Sequence, residues 1–246
     1  MPSPIEKSSE LVDRINAMIY SGPGEEALRQ LENEILQIER AGFYYQAKQL
    51  QGMLAGMRGD ADEVHRKFNA ALKSSGNNIL VRENYAQALA NLHRFIEAVE
   101  QIEQAVEQAP DNLGLLLVAQ EIFENAYHVD RAEQLIEQIQ RLGQEDRIPH
   151  EKTIKLVHMR QLLEGAGASW REVSARIELA SSVLLSLGVR TSSITESFSE
   201  SAALLEFNIR GDVDLAMRAE EAIHRAVADQ PYSPADKMLA FTCVPE

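Results

Sequence analysis

From residue 5 to about residue 164, apolar side chains recur three and four positions apart, the spacing that turns one face of an α-helix toward a core. Short breaks interrupt the pattern: SGPGEE at 21–26, AGF at 41–43, RGDAD at 58–62, SSGNN at 74–78, APDN at 109–112 and RLGQED at 141–146. Glycine, proline and asparagine are the residues that end helices, through left-handed backbone or a missing donor. Helices joined by such short breaks predict antiparallel hairpins stacked as a solenoid. After Gly165 the pattern changes. GAGAS at 165–169 is a break that ends on a candidate N-cap, Ser169, ahead of WREVSARIELASSVLLSLG. VRTSSITESFSE is rich in hydroxyl and β-branched residues, ALLEFNIRGD alternates Leu205, Phe207 and Ile209, and MLAFTCV is a short apolar run. An amphipathic helix, DLAMRAEEAIHRAVADQ, separates the last two. The order helix, strand, strand, helix, strand predicts a hairpin joined to a last strand by a helical crossover.

Comparing the chain with itself reveals a period of 34 residues. Val64, Ala98 and Ala132 align, as do Phe68, Ile102 and Ile136, and Ala71, Ala105 and Ile139. Gly76 aligns with Pro110, Gly52 with Ala86, and Ala55 with Leu89 and Phe123. Small residues suit the places where two helices cross closely, and larger apolar ones fill the gap between hairpins. The pattern resembles the tetratricopeptide repeat family, with units at 45–78, 79–112 and 113–146. Its best unit is the middle one, with Tyr85, Ala86, Ala98, Ala105 and Pro110. Lys48, Arg82 and Leu116 replace the family's aromatic at the start of the first helix, Gln120 fills a small position, and Gln144 replaces a proline.

The resemblance implies a right-handed α-solenoid, and with the pattern after Gly165 the expected fold is mainly α, the solenoid followed by a small α+β module. Residues 1–164 read as the repeat domain, with a degenerate leading hairpin at 5–41 and a closing helix at 150–164. Residues 169–246 read as the α+β module. In the family, the first helix of each unit lines a concave face that binds partner peptides. Carried over by phase, that face holds Gln49 and Met53, then Glu83, Asn84, Gln87 and Asn91, then Leu117, Glu121, Glu124 and Asn125. Side-chain amides can hydrogen-bond a peptide backbone whatever its sequence. A clamp for a C-terminal carboxylate, known in one subfamily, is disfavoured, because only Asn84 matches it and Gln49, Met53, Gly114 and Val118 do not.

Charge narrows the partners. The chain has 38 acidic and 24 basic residues, a net charge of -14, which repels a phosphate backbone and argues against direct nucleic-acid binding. Between Phe95 and Asp146 stand twelve acidic residues against Arg131 and Arg141, so a net -10 of the -14 lies in that stretch of repeats two and three. These carboxylates are a solvated face or a docking face for a basic partner. The C-terminal stretch is less acidic, with Arg171, Arg176, Arg190, Arg210, Arg218 and Arg225, for which pairing with glutamates is the common role. With no long apolar run and no leader pattern in MPSPIEKSSE, neither a membrane span nor a secretory signal is expected, and the expected compartment is the cytoplasm.

Chemistry is sparse. GAGASW lacks the lysine of a phosphate loop, and no histidine pair has zinc-ligand spacing. His93 and His128 fall at equivalent turns but without further ligands. Cys243, the single cysteine, excludes an internal disulfide and reads as a buried thiol. Trp170 is a packing residue or an interface anchor. No metal, cofactor or catalytic group is therefore expected. The expected function is a non-catalytic adaptor or regulatory subunit that binds a protein or peptide through its repeats. One rival is an acidic inhibitor that masks a basic toxin or effector; another is an enzyme using Glu196, Glu206, Arg210 and His224, which carry no motif. An open edge on the last strand leaves room for homo-oligomers.

Overall fold

The computed structural model describes residues 4–18, 24–189 and 191–245. Residues 21–23 of the first expected break and Arg190 lie outside the described residues. The helices are α1 (Pro4–Met18), α2 (Glu25–Arg40), α3 (Tyr44–Met57), α4 (Ala61–Ser75), α5 (Ile79–Asn91), α6 (Phe95–Gln108), α7 (Leu113–Asn125), α8 (Val129–Arg141), α9 (His150–Ala166), α10 (Trp170–Ser186) and α11 (Val213–Ala228). The strands are β1 (Thr191–Phe198), β2 (Ala203–Ile209) and β3 (Leu239–Pro245). The architecture is mainly α, with helices packed in consecutive pairs and a small α+β end, as the pattern predicts. No described helix is long and apolar enough to cross a membrane.

The period is written into the backbone. Helices α4, α6 and α8 begin at Ala61, Phe95 and Val129, each 34 residues after the one before, and α5 and α7 keep the same interval. Gly59, His93 and Tyr127, also 34 apart, share a left-handed turn conformation with φ of 80°, 57° and 59°. Asn78 and Asn112 cap α5 and α7, their side-chain oxygens accepting from the first backbone N–H groups. Every member of the series Val64, Phe68, Ala71 and their equivalents is buried.

The chain divides into two compact units, residues 1–92 with 100–109, and residues 93–99 with 110–246. In the first, α3 packs against α1, α2, α4 and α5. Gly52 on α3 is a close-approach residue, since a Cβ there would lie 2.6 Å from the Phe68 ring. Phe68 in turn stacks on Tyr85, with ring centroids 4.9 Å apart.

In the second unit, α7 and α8 form a hairpin, α9 packs on α8, and α10 packs on α11. The expected boundary at 165–169 falls within this unit, where Gly167 ends α9 and Ser169 with Glu172 forms a capping box for α10. The sheet order is β1-β2-β3, with β1 antiparallel and β3 parallel to β2, and α11 makes the crossover. Leu205, Phe207 and Ile209 are all buried. The last strand is less open than its edge position implies. Glu220 on α11 accepts from the Cys243 backbone N–H at 3.1 Å, and the His224 ring donates to the Phe241 carbonyl at 2.9 Å. No such bridge closes the other edge, β1, among the described residues.

Gly52→Ala drives its methyl into Phe68 and is expected to cost about 1–3 kcal/mol in urea unfolding. Adding Phe68→Ile, which copies the Ala86 and Ile102 pair one repeat on, recovers part of that loss. Strictly additive costs would show that the two side chains do not compete for space.

Candidate functional site

The groove positions inherited from the repeat pattern divide by burial. Gln49, Met53, Asn84 and Glu124 are buried, Glu83, Gln87 and Asn125 are half-buried, and Asn91 and Glu121 are exposed. The correction for the buried four is physical. The first helix of a hairpin is covered on most of its circumference, as the neighbours of α3 illustrate, so only a narrow strip reaches solvent. Glu83 shows the same squeeze, because burial holds its carboxyl above the usual range.

Glu124 belongs to a network that the pattern did not foretell. Gln120, at the slot where Gly52 and Ala86 precede it, is 1% exposed and donates to Glu124 Oε2 at 2.9 Å. On α9, Lys152 donates to Gln120 Oε1 at 3.0 Å and Lys155 lies 2.9 Å from Glu124 Oε1. Lys155 also lies 2.6 Å from Glu196 Oε2 on β1. Burial opposes the Lys155 charge, but the Glu196 and Glu124 carboxylates outweigh it and hold the ammonium above its usual range. Burial likewise works against the Glu124 carboxylate, and Lys155, then Lys152 and Gln120, outweigh it and hold its pKa below the usual range. Tyr127 is fully buried, and its phenol is pushed well above its ordinary value by burial and by Glu196. Such a cluster offers no free base and no deprotonated amine. Its chemistry is that of an ion-paired joint between α7, α9 and β1.

A second group of polar contacts lies on α10. Ser174, Glu178 and Ser181 are spaced along one helical face. Ser174 donates to the Ala126 carbonyl at 2.9 Å, Glu178 accepts from the Ile96 N–H at 3.0 Å, and Ser181 bonds His93 Nδ1 at 2.8 Å. Burial lowers the His93 pKa to about 4, so the ring is neutral at neutral pH. His128 stacks on Trp170 with centroids 4.5 Å apart, and Arg171 lies over the same indole. The two turn histidines thus have separate partners. Among the described residues no group of His, Cys, Asp and Glu is placed to hold a metal ion.

The residues of the enzymatic rival are scattered over different tasks. Glu196 is in the ion-pair joint, His224 bonds a backbone carbonyl, and Glu206 alternates with buried Leu205 and Phe207, which puts it on the opposite face of β2. Cys243 is buried, and desolvation with Glu220 beside it pushes the thiol up to about 11. Of the arginines, Arg176 forks onto Asp236 at 2.6 and 3.0 Å and Arg225 pairs with Glu221. No family model matches the chain, and neither a curated protein nor a solved structure matches it.

Lys155→Met leaves Glu124 and Glu196 without their shared cation and is expected to destabilise the fold by about 3 kcal/mol. Changing both carboxylates to glutamine in the same chain restores much of this, as denaturant unfolding can show. A pH prediction follows from His93. Its folded pKa lies below its unfolded value near 6.5, so the unfolded chain takes up the proton first. Stability is complete above about pH 6.5 and is lost as pH falls toward 4, by up to about 3 kcal/mol. Asparagine tolerates the left-handed turn, so His93→Asn is expected to flatten this slope in unfolding free energy measured against pH.

Proposed function

We propose that this protein is a non-catalytic interaction subunit, an adaptor or regulator whose tetratricopeptide-like repeats bind a partner protein or peptide with a basic surface. The observation that carries the reading is the exposure of the acidic helices. Glu100 and Glu107 on α6 face solvent, as do Asp130 and Glu137 on α8 and Glu145 and Asp146 in the turn that follows. Exposed carboxylates speed the encounter with a cationic surface and select against acidic ones. The repeated hairpins, with matching starts and matching turns, support the tetratricopeptide-like reading. Gln87 and Asn91 in the first unit, and Glu121 and Asn125 in the second, leave polar side chains at least partly exposed on the first helices of their hairpins.

The same charge suits an inhibitor that masks a basic toxin or effector, and the two differ in whether the partner's activity falls on binding. The test is capture of partners by the tagged chain at low salt, followed by affinity measurement on the purified pair. Screening at high salt, and separately Glu100→Lys with Glu107→Lys or Glu137→Lys, is expected to weaken binding about tenfold or more. A purified partner whose affinity moves with neither salt nor charge reversal would sink this reading.

A further inference from the structure

The 34-residue period sets two equivalent polar positions one repeat apart, and they differ in sign. In the earlier one, Lys48 on α3 donates to Glu39 Oε1 at 2.7 Å and Gln51 donates to Glu39 Oε2 at 2.9 Å. Lys67 on α4 donates to Gln51 at 2.7 Å and adds its charge to the surroundings of the same carboxylate. One repeat later, Arg82 stands for Lys48, Gln101 for Lys67, and Lys73 for Glu39. The cation is kept, and the carboxylate that neutralised it is replaced by a second cation.

The result is an open concavity of about 510 Å³ in the first unit. Arg82, Lys73, Asn69, Asn77, Gln101 and Gln104 line it, and no acidic side chain does. Arg82 forms its base and is only 8% exposed. Its Nη1 donates to Gln101 Oε1 at 2.8 Å, while its Nε has no hydrogen-bond partner. Among the described residues Arg82 enters no ion pair. A guanidinium so far out of water, with one neutral amide as partner, bears a desolvation cost that an anion would relieve. The planar fork of Arg82 suits a carboxylate, Lys73 at the rim adds a mobile positive charge, and the amides can bond the remainder of a ligand. The volume lies in the range of small-ligand sites. The chain's overall charge of -14 works against any anion at a distance, so retention depends on these local contacts.

We propose that this concavity binds a carboxylate-bearing ligand, whose carboxylate takes against Arg82 the place that Glu39 takes against Lys48 one repeat earlier. The carboxylate belongs to a small free acid or to an acidic side chain of a peptide. The site is separate from the exposed acidic helices and does not depend on the partner proposed for them.

Calorimetric titration of the full chain, at matched ionic strength, tests this with citrate, glutarate, a capped tripeptide containing one glutamate, inorganic phosphate and chloride. At least one carboxylate is expected to bind with one site per chain. Arg82→Gln is expected to weaken it about tenfold or more. Lys73→Glu supplies the concavity with a carboxylate of its own, so it is expected to abolish binding while raising the unliganded melting temperature. That variant keeps the test decisive should Arg82→Gln fail to fold. Tighter binding of the tripeptide assigns the carboxylate to a peptide, and tighter binding of citrate or glutarate assigns it to a small acid. The proposal is overturned if no carboxylate binds at millimolar concentration, if Lys73→Glu binds as well as the unmodified chain, or if phosphate or chloride is preferred. A protein partner lost at high salt while carboxylates still bind separates this site from the function proposed above.

Discussion

A charge taken out of water needs a counter-charge, and in this acidic chain that requirement decides where long side chains come to rest. Lys155 is half-buried because Glu124 and Glu196 flank it, and Arg176 is buried because Asp236 meets its fork. Lys48 is held in the same way by Glu39. Each pair contributes little net stability once desolvation is subtracted, but each penalises any other register of the elements it joins. The Glu124–Lys155–Glu196 joint therefore specifies how β1 lies against α7 and α9 more than it strengthens the contact. Arg82 is the exception to the rule, and the exception is what makes it informative.

Uncharged polar groups obey the same accounting through the backbone. Turns between helices leave carbonyls and N–H groups without helical partners. In the second unit α10 supplies them: Ser174 serves the end of α7, and Glu178 serves the start of α6. Ser181 meanwhile holds His93 in a left-handed conformation that costs a non-glycine residue roughly 1–2 kcal/mol. A helix whose polar stripe looks made for water is instead fitted to the turns of the hairpins before it.

This explains what could be read in advance and what could not. Helix limits, the period and the strand order rest on local signals: the Asn78 and Asn112 caps, the Ser169 capping box, and the alternation of Leu205, Phe207 and Ile209. Burial of polar residues depends on partners distant in sequence, to which periodicity is blind. Phase alone turned Asn84 and Glu124 toward a groove, whereas the covering of each first helix turned them inward. Yet departures from the repeat were legible as departures. Gln120 at a slot for small residues marked the ion-paired joint, and Arg82, where Leu116 follows one repeat on, marked the concavity. Neither could be interpreted until Lys152 and Lys155 in one case, and Lys73 and Gln101 in the other, had places in space.

The bridging of β3 by α11 has a bearing on how the protein fails. A parallel edge strand presents backbone groups that another chain can pair with, and here the shield consists of two side chains, Glu220 and His224. Shield and strand come from opposite ends of one crossover, so partial unwinding of α11 uncovers MLAFTCV in a chain that is otherwise folded. That segment, apolar and bare of charge, matches the composition of strands that self-associate. The hydrogen bonds that one helix makes with this edge thus also guard it against pairing with another chain.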